Sequence, residues 1–442
     1  WLFSRQRYWG EPFPIVWDEQ GNHYPVSEEA LPVLLPEMAD FVPPESADPM
    51  PLLGKATQWV RTTAGEAGVS PDLLRPETPV VRETNTMPNW AGSCWYYLRF
   101  CDPGNGARFV GEEAERYWMG KDGVDLYVGG AEHAVLHLLY ARFWHKVLYD
   151  LGHVHTVEPF KKLFHQGLIT AYSYQREDKS LVPTDEVEEV GDGKFIEKAT
   201  GRPLTQVTAK MSKSLKNVVN PDDVIAEYGA DTFRLYEMYM GPLEASKPWN
   251  TRDIVGPFRF LQRVWRNFVD ENTGRLTVTD GAPDEGTLRL VHKTIAGVRK
   301  DIEALSLNTA IAKLIELNNH LAKVAAAAGG VPRAAAEPMV LMLAPFAPHI
   351  AEELWSRLGH EASIIDAPFP VADERLAADD AVEIPIQVMG KVRSKIMVPA
   401  GADAKTTEAA AMADAKVQEL IAGKTIKKVI VVPGRMVNFV VG

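Results

Sequence analysis

VDLYVGGAEHAVLHLLYARFWHKVLYDLG, residues 124–152, decides the fold. Residues 124–128 read as a short apolar strand and Gly129-Gly130 as a turn. Residues 131–151 then read as a helix, with Val135, Leu138, Leu139, Phe143, Val147 and Leu148 at helical spacing. Strand, double glycine, helix is how a doubly wound α/β sheet presents a nucleotide site at the carboxyl end of a strand. Glu132 falls at the helix start, placed to accept hydrogen bonds from ribose hydroxyls. His133 and His137 are four apart and share one helical face. Three readings compete for the pair. A metal pair needs a third ligand, and in HExxH the Glu lies between the histidines rather than before them. Core histidines are simply satisfied by neighbours. Pocket histidines line a substrate site beside the glycine turn.

The second informative stretch is AKMSKSLKN, residues 209–217. Lys210 and Lys213 flank a small hydroxyl-rich loop, and Lys216 lies just beyond. Asn220-Pro221-Asp222-Asp223 follows and reads as a helix start: an N-cap, a proline for the first turn, and two aspartates for the positive end of the dipole. Compact positive charges on a loop against a helix start suit phosphate. They count most where charge develops on a polyphosphate during reaction. By itself a KxxK pattern reads better as a solvated surface turn.

Composition narrows the class. The 442 residues leave room for two to four domains and a large core. With 46% hydrophobic and 24% charged residues the chain reads as globular rather than disordered. No apolar run approaches the ~20 residues of a membrane span. The chain starts at Trp1 with no signal peptide, so Trp1 is expected to be internal to something longer. Cys94 and Cys101 cannot build a four-cysteine zinc site or a disulfide framework, so a reducing cytosol and no protein metal site are expected. A net charge of −12 argues against a globally basic nucleic-acid binder and leaves room for local basic patches.

The remaining chain follows in order. WLFSRQRYWGEPFPIVW, residues 1–17, reads as a strand turning at Gly10, Pro12 and Pro14, with Arg5 and Arg7 alternating. Residues 21–79 carry Pro25, Pro32, Pro36, Pro43, Pro44, Pro49 and Pro51, which forbid long elements. A surface excursion with a short helix near 55–62 is expected there. RETNTMPNWAGSCWYYLRF, residues 82–100, is dense in aromatics, most of them core. FKKLFHQGLIT, residues 160–170, reads as the next strand, ending at Gln166-Gly167. Residues 171–208 are polar and acidic, and read either as a segment with a small hairpin near 194–199 or as a long exposed loop. Helices are expected over 220–227 and 230–240, then a long amphipathic helix within 249–271 whose Arg259, Arg263 and Arg266 face either nucleic acid or water. Residues 284–359 read as a helix bundle with a stripe of Ile311, Leu314, Ile315, Leu321 and Val324, broken at Gly329-Gly330. A linker over 368–380 leads to a small α+β unit, strands flanking an alanine-rich helix over 406–422. Residues 381–442 hold nine Lys+Arg and five Asp+Glu, an excess of +4. Lys391, Arg393, Lys395, Lys427, Lys428 and Arg435 lie near strand ends, which suggests phosphate-backbone contact.

Several stretches resemble a known family. KMSKS, residues 210–214, resembles the second signature of class I aminoacyl-tRNA synthetases. SRQRYWG, residues 4–10, resembles the segment by which class Ia members re-enter the catalytic domain after their inserted editing domain. GGAEHAVLHLLY, residues 129–140, is similar to the GGxEHAxxHLLY pattern of leucyl-tRNA synthetases; isoleucyl and valyl enzymes usually show Asp-Gln at the Glu-His pair. The resemblance covers nearly the whole chain.

It implies an α/β architecture: the second half of a class I Rossmann-like catalytic domain over 1–240, with an insertion at about 171–208 before the KMSKS loop. A helical anticodon-binding-type bundle over 241–367 and a small α+β tRNA-binding domain over 381–442 would follow. It implies ATP-dependent activation of leucine, with Mg²⁺ on the ATP, and transfer to tRNA(Leu) in the cytoplasm. Lys210 and Lys213 take the catalytic role. Gly130, Glu132, His137, Gln166, Met211, Ser212 and Ser214 hold ATP or the adenylate, and Tyr97, Tyr127 and His133 shape the leucine pocket. Arg263, Lys391, Arg393, Lys427, Lys428 and Arg435 face tRNA. Ser93-Cys94 stands where the family usually carries two serines. Neither a HIGH-type motif nor an editing-domain sequence is present. The resemblance therefore implies the C-terminal half of a bacterial-type enzyme, either a fragment or the second subunit of a split one, inactive without its N-terminal half. Two alternatives stand beside it: a class Ia synthetase for another aliphatic amino acid, and a non-catalytic tRNA-binding half-protein.

Overall fold

The computed structural model describes residues 2–42, 50–378 and 381–442. Pro43, Pro44 and Pro49 of the proline-rich stretch, and residues 379–380 of the expected linker, lie outside the described residues. The chain divides into two units, Trp1–Gly167 and Leu168–Gly442.

In the first unit the strand, glycine and helix order holds, with shorter pieces than expected. Tyr127–Val128 pairs in parallel with Leu163–Phe164, and a single bridge joins Val124 to Phe160. A parallel pair needs a crossover, and the helix His137–Asp150 supplies it. The helix expected over 131–151 is two pieces: a 3-10 turn at Ala131–His133, then the α-helix from His137. Neither piece has a side-chain cap to fix its start, and Leu136 between them sits at φ −109, ψ −79.

The buried face of this helix also differs from the expected stripe. Val135, Phe143 and Val147 are exposed, while Tyr140 and Ala141 pack with Cys94, Tyr97, Leu98, Val110, Met119 and Val154, His145 is buried beside Tyr97, and Leu138 is buried facing the cavity described below. The helix gives this core two polar side chains, and both are hydrogen-bonded: Tyr140 donates to the Leu2 carbonyl and His145 bonds Tyr97 and Thr156.

The proline-rich stretch is more than a surface excursion. Strands His23–Pro25, Ile15–Trp17, Pro79–Arg82 and Arg61–Thr63 form a four-stranded sheet in that order. Val16, Val26, Ala64, Ala67, Val69 and Val80 make its own small core. The prolines keep each element to a few residues, and the expected helix is one turn, Thr57–Val60, running into the strand. SRQRYWG is not a strand. Arg5 makes a lone bridge to Thr86, and Glu11–Pro12 pairs with Thr86–Met87. A Cβ on Gly10 would lie 2.3 Å from the Met87 carbonyl oxygen, so this approach requires glycine.

The strand expected over 160–170 is also split. Leu163–Phe164 belongs to the first unit, and Ile169–Gln175 opens the second. There the strand order is Leu181–Val182, Ile169–Gln175, Pro203–Lys210, Lys194–Glu197, Val187–Gly191, with Lys247–Pro248 parallel to Ile169–Gln175. The hairpin in the polar insertion begins at Val187, earlier than expected, and turns on Asp192 and Gly193, both at positive φ.

Helices Pro221–Tyr228 and Ala230–Tyr239 follow, parted by Gly229 at φ 85. Val255–Phe268, Glu285–Glu303, Leu307–Ala328, Arg333–Leu343 and Pro348–Arg357 then pack round one core. It includes Phe260, Val264, Phe268, Ile295, Ile311, Leu314, Leu321, Val340 and Phe346, and it takes in Leu235 from the preceding helix. Leu307–Ala328 ends on Gly329 in the left-handed conformation.

The last sheet has the order Lys391–Pro399, Ala381–Val388, Met436–Val441, Ile426–Val432. The single helix expected beside it is two, Ala404–Ala413 and Ala415–Ile421, because the Asp414 carboxylate caps the second by accepting from Val417 N–H. The expected linker contains one helical turn, Glu374–Ala377. Among the described residues no helix is long and apolar enough to cross a membrane.

Candidate functional site

At the carboxyl end of Tyr127–Val128 lies a cavity of about 340 Å³. Tyr127, Gly129, Gly130, His133, His137 and His165 line one side; Trp90 and Ser93, three apart on one short helix, and Tyr96 line the other. The walls are largely aromatic and apolar. Their polar edge is a chain of hydrogen bonds, Tyr96 Oη to Tyr127 Oη at 2.5 Å and Tyr127 Oη to His137 Nε2 at 2.7 Å. Burial pushes the pKa of His137 down, with His133 adding to the effect, so at neutral pH the ring is an uncharged imidazole. Burial first, and then the bond from Tyr96, push the Tyr127 phenol up, so it stays protonated. His165 Nδ1 donates to the Gly129 carbonyl at 2.8 Å and steadies the glycine turn. A small apolar cavity with a neutral imidazole and a hydroxyl at its rim fits a branched aliphatic group carrying one polar end.

His133 lines the cavity from its exposed rim, its ring centroid 6.3 Å from His137 and 6.5 Å from Trp90. Not every other expected residue is here. Glu132 is exposed and folds back over Gly130. Gln166 is exposed and is not among the lining residues. Tyr97 is a correction: it is 5% exposed and lies in the core, not on the cavity. Its hydroxyl bonds His145 Nδ1 at 2.7 Å. His145 Nε2 faces the Thr156 carbonyl at 2.9 Å, so Nε2 carries the proton and Tyr97 donates. Cys94 is fully buried with its thiol pushed up to about 12 by burial, so it is an inert core side chain. Sequence reading missed Trp90, Ser93 and Tyr96 as lining residues. The i, i+3 spacing of Trp90 and Ser93 was the available signal.

The lysine loop lies in the second unit. It leaves the strand Pro203–Lys210 and turns through a 3-10 helix at Lys213–Leu215. The Ser212 hydroxyl caps that turn, accepting from Leu215 N–H at 3.1 Å, and lies 3.0 Å from the Ser214 hydroxyl. Lys210 and Lys213 are exposed, and neither forms an ion pair among the described residues. Their charges are therefore free for an anion. Met211 instead packs on the cluster of Val224, Tyr236, Trp249 and Ile254, which anchors the loop. Asn220 caps the next helix by accepting from Asp222 N–H, with Pro221 in its first turn.

The basic residues of the last domain do not form one patch. Lys391 and Arg393 are exposed on one edge strand of the sheet, Lys427 and Lys428 on the other, and Arg435 is exposed in the turn between Ile426–Val432 and Met436–Val441. Three strand spacings, roughly 14 Å, part the two edges. Lys395 is paired with Glu383 at 2.7 Å. Arg263 is exposed on Val255–Phe268. Among the described residues no group of three or more His, Cys, Asp or Glu is placed to hold a metal ion.

With this geometry in place, the likeness to known proteins is specific. Residues 200–247 match the family described as tRNA synthetases class I (I, L, M and V), and residues 284–408 match the anticodon-binding domain of tRNA ligase. The whole chain is similar to leucine–tRNA ligases of Saccharopolyspora erythraea, 56% identical over 456 residues, and of Nocardia farcinica, 55% identical over 458 residues. It spans about half the length of these curated relatives, 47% in both cases. It also resembles a solved LeuRS–tRNA–LeuAMS ternary complex of Agrobacterium radiobacter K84 agnB2, with TM-score 0.73 and 28% identity, over 100% of this chain and 51% of that one. Over its whole length the chain is similar to about half of each of these leucine–tRNA ligases.

Proposed function

We propose that the chain carries the leucine-side and phosphate-side groups of a leucine–tRNA ligase. A leucine carboxylate oxygen attacks the α-phosphorus of ATP, the bond to pyrophosphate breaks, and leucyl-adenylate forms. A terminal ribose hydroxyl of tRNA(Leu) then attacks the leucyl carbonyl, and AMP leaves with the bonding pair. The observation that carries this reading is the cavity at the Gly129-Gly130 turn, with its aromatic walls and the Tyr96–Tyr127–His137 hydrogen-bond chain.

Tyr127, His133 and His137 hold leucine and the adenylate, with Trp90 and Ser93 completing the wall. Gly130, Glu132 and Gln166 serve the adenosine end. Lys210 and Lys213 meet the phosphate charge, with Ser212 and Ser214 as hydroxyl partners. Mg²⁺ enters on the ATP phosphates. Catalysis rests on positioning and electrostatics, and no side chain acts as a nucleophile. Residues 1–240 serve catalysis, 241–367 form the anticodon-binding-type bundle, and 381–442 touch tRNA through Lys391, Arg393, Lys427, Lys428 and Arg435, with Arg263 adding a contact from the bundle. The solved relative, captured with tRNA and LeuAMS, supports the substrate assignment. The site of action is the cytoplasm.

Leucine-dependent ATP–pyrophosphate exchange tests the reading. It is run with this chain alone and with the portion of a relative that lies outside the match supplied as a separate polypeptide. Exchange in the mixture, abolished by Lys213→Ala, is expected. Exchange unchanged by Lys213→Ala would refute the role of the loop, and preference for isoleucine, valine or methionine would refute the leucine assignment.

A further inference from the structure

Asn217 is the one polar side chain of the lysine loop that is fully buried, 1% exposed, although it stands in a run of exposed residues. Its amide closes the mouth of the loop. Asn217 Oδ1 accepts from the Ser212 backbone N–H at 2.9 Å, and Asn217 Nδ2 donates to the Lys210 backbone carbonyl at 3.3 Å. One donor and one acceptor are needed at once, which an amide supplies and a carboxylate or hydroxyl cannot match in that geometry. The chain reaches this position because Lys216 adopts the left-handed conformation, φ 52, and reverses direction after the 3-10 turn. Ser173 Oγ donates to the Leu215 carbonyl at 3.4 Å on the outer side. Residues 210–217 are thus a ring, pinned at its neck by one side chain.

We infer that Asn217 is a positioning residue for the reaction: it fixes the backbone from which Lys210 and Lys213 project, and so sets where their charges stand. This rests on the phosphate role given to those lysines above. Lys210 ends the strand and Lys213 begins the 3-10 turn, so without the neck the two lysines are tied only through Met211 and Ser212. A displacement of roughly 1 Å at a group that meets developing charge costs on the order of 100-fold in rate. Asn217 touches neither phosphate nor leucine in this account. Its loss therefore acts on the ATP-dependent step and spares leucine binding.

Two measurements on Asn217→Ala and Asn217→Asp test this. Limited trypsin digestion of this chain reads the order of the loop directly, because Lys210, Lys213 and Lys216 are cleavage sites. For Asn217→Ala, cleavage at Lys213 and Lys216 is expected to rise at least tenfold. Asn217→Asp keeps the acceptor for Ser212 N–H but sets a carboxylate against the Lys210 carbonyl, and falls between wild type and Asn217→Ala. In the exchange assay, kcat/KM for ATP is expected to fall 10- to 100-fold in Asn217→Ala with leucine KM within twofold of wild type. Unchanged cleavage, or a rise of leucine KM in step with that of ATP, would overturn the proposal. If Asn217→Ala does not fold, Asn217→Asp decides alone, and wild-type behaviour in both assays counts against the brace. Lys213→Ala separates the two levels. A silent Lys213→Ala removes the loop's phosphate role itself, whereas a damaging Lys213→Ala beside a silent Asn217→Ala removes the brace only.

Discussion

Removing the Asp231 carboxylate should loosen a helix more than one hundred residues away in sequence. Asp231 is 8% exposed and lies on Ala230–Tyr239. Its two oxygens accept from His349 N–H at 3.2 Å and Ile350 N–H at 2.7 Å, the free donors at the start of Pro348–Arg357. That helix has no cap of its own, since Ala347 precedes it and Pro348 has no N–H. Hydrogen bonds to a charged group contribute about 1.5–3 kcal/mol each, and the longer of these two falls at the low end. Asp231→Ala leaves both N–H groups without their acceptor, and a net cost of about 3 kcal/mol is expected. Asp231→Asn keeps one acceptor for Ile350, so about 1–2 kcal/mol is expected. At roughly 2–4 °C per kcal/mol for a unit of this size, Asp231→Ala should lower the melting temperature by about 6–12 °C. Amide exchange at Ile350 should quicken in step. Arg234 donates to the Pro345 and Phe346 carbonyls of the same turn, so Arg234→Met combined with Asp231→Ala should cost less than the sum of the two. A melting temperature within about 2 °C of wild type, with exchange at Ile350 unchanged, would refute the reasoning.

Three further outcomes are expected. His137, its pKa lowered by burial, should titrate below the ordinary histidine value of 6.5 in an NMR pH series; because the folded state resists the proton, its stability contribution is intact above 6.5 and is lost as pH falls through the lowered value, and titration at or above 6.5 would contradict the buried, neutral ring. Tyr97→Phe leaves the buried His145 Nδ1 without its donor and should cost about 1–3 kcal/mol in denaturant unfolding while leaving leucine KM unchanged, whereas Tyr127→Phe should raise leucine KM. In native protein at pH 8, DTNB should leave Cys94 unmodified while denatured protein reacts at both cysteines; rapid native reaction at Cys94 would mean that its thiol is neither enclosed nor raised.

Local signals carried much of this fold into the sequence. The Asn220-Pro221 helix start, the Gly329 stop and the bundle stripe at Ile311, Leu314 and Leu321 depend on nearest neighbours and a repeating period, and each stands where expected. Features fixed by distant partners were not legible. Whether Val135 or His145 of one helix faces inward depends on Tyr97 and Thr156, 48 and 11 residues from His145, through hydrogen bonds that no hydrophobic period registers. The same applies to Tyr96 and Tyr97: adjacent and nearly identical in chemistry, one lines the cavity and the other is core, and only the helix rotation separates them. Of residues 129–137, Gly129, Gly130, His133 and His137 line the cavity, and the glycine turn before a helix was the local signal for it; Glu132 is exposed and does not line it. The break at Leu136 was not, since leucine is a good helix former and nothing in its type forbids continuation.

The two edges of the last sheet have a consequence of another kind. A four-stranded sheet covered by helices on one face leaves two open rows of backbone donors and acceptors, the places where a second chain could add a strand and begin an aggregate. Here one edge strand carries Lys391, Arg393 and Lys395 and the other Lys427 and Lys428. Any copy of the same domain approaching edge to edge brings like charge against like. The charges considered for a nucleic-acid partner therefore also oppose pairing of the domain with itself, and replacing them with apolar residues would favour self-association.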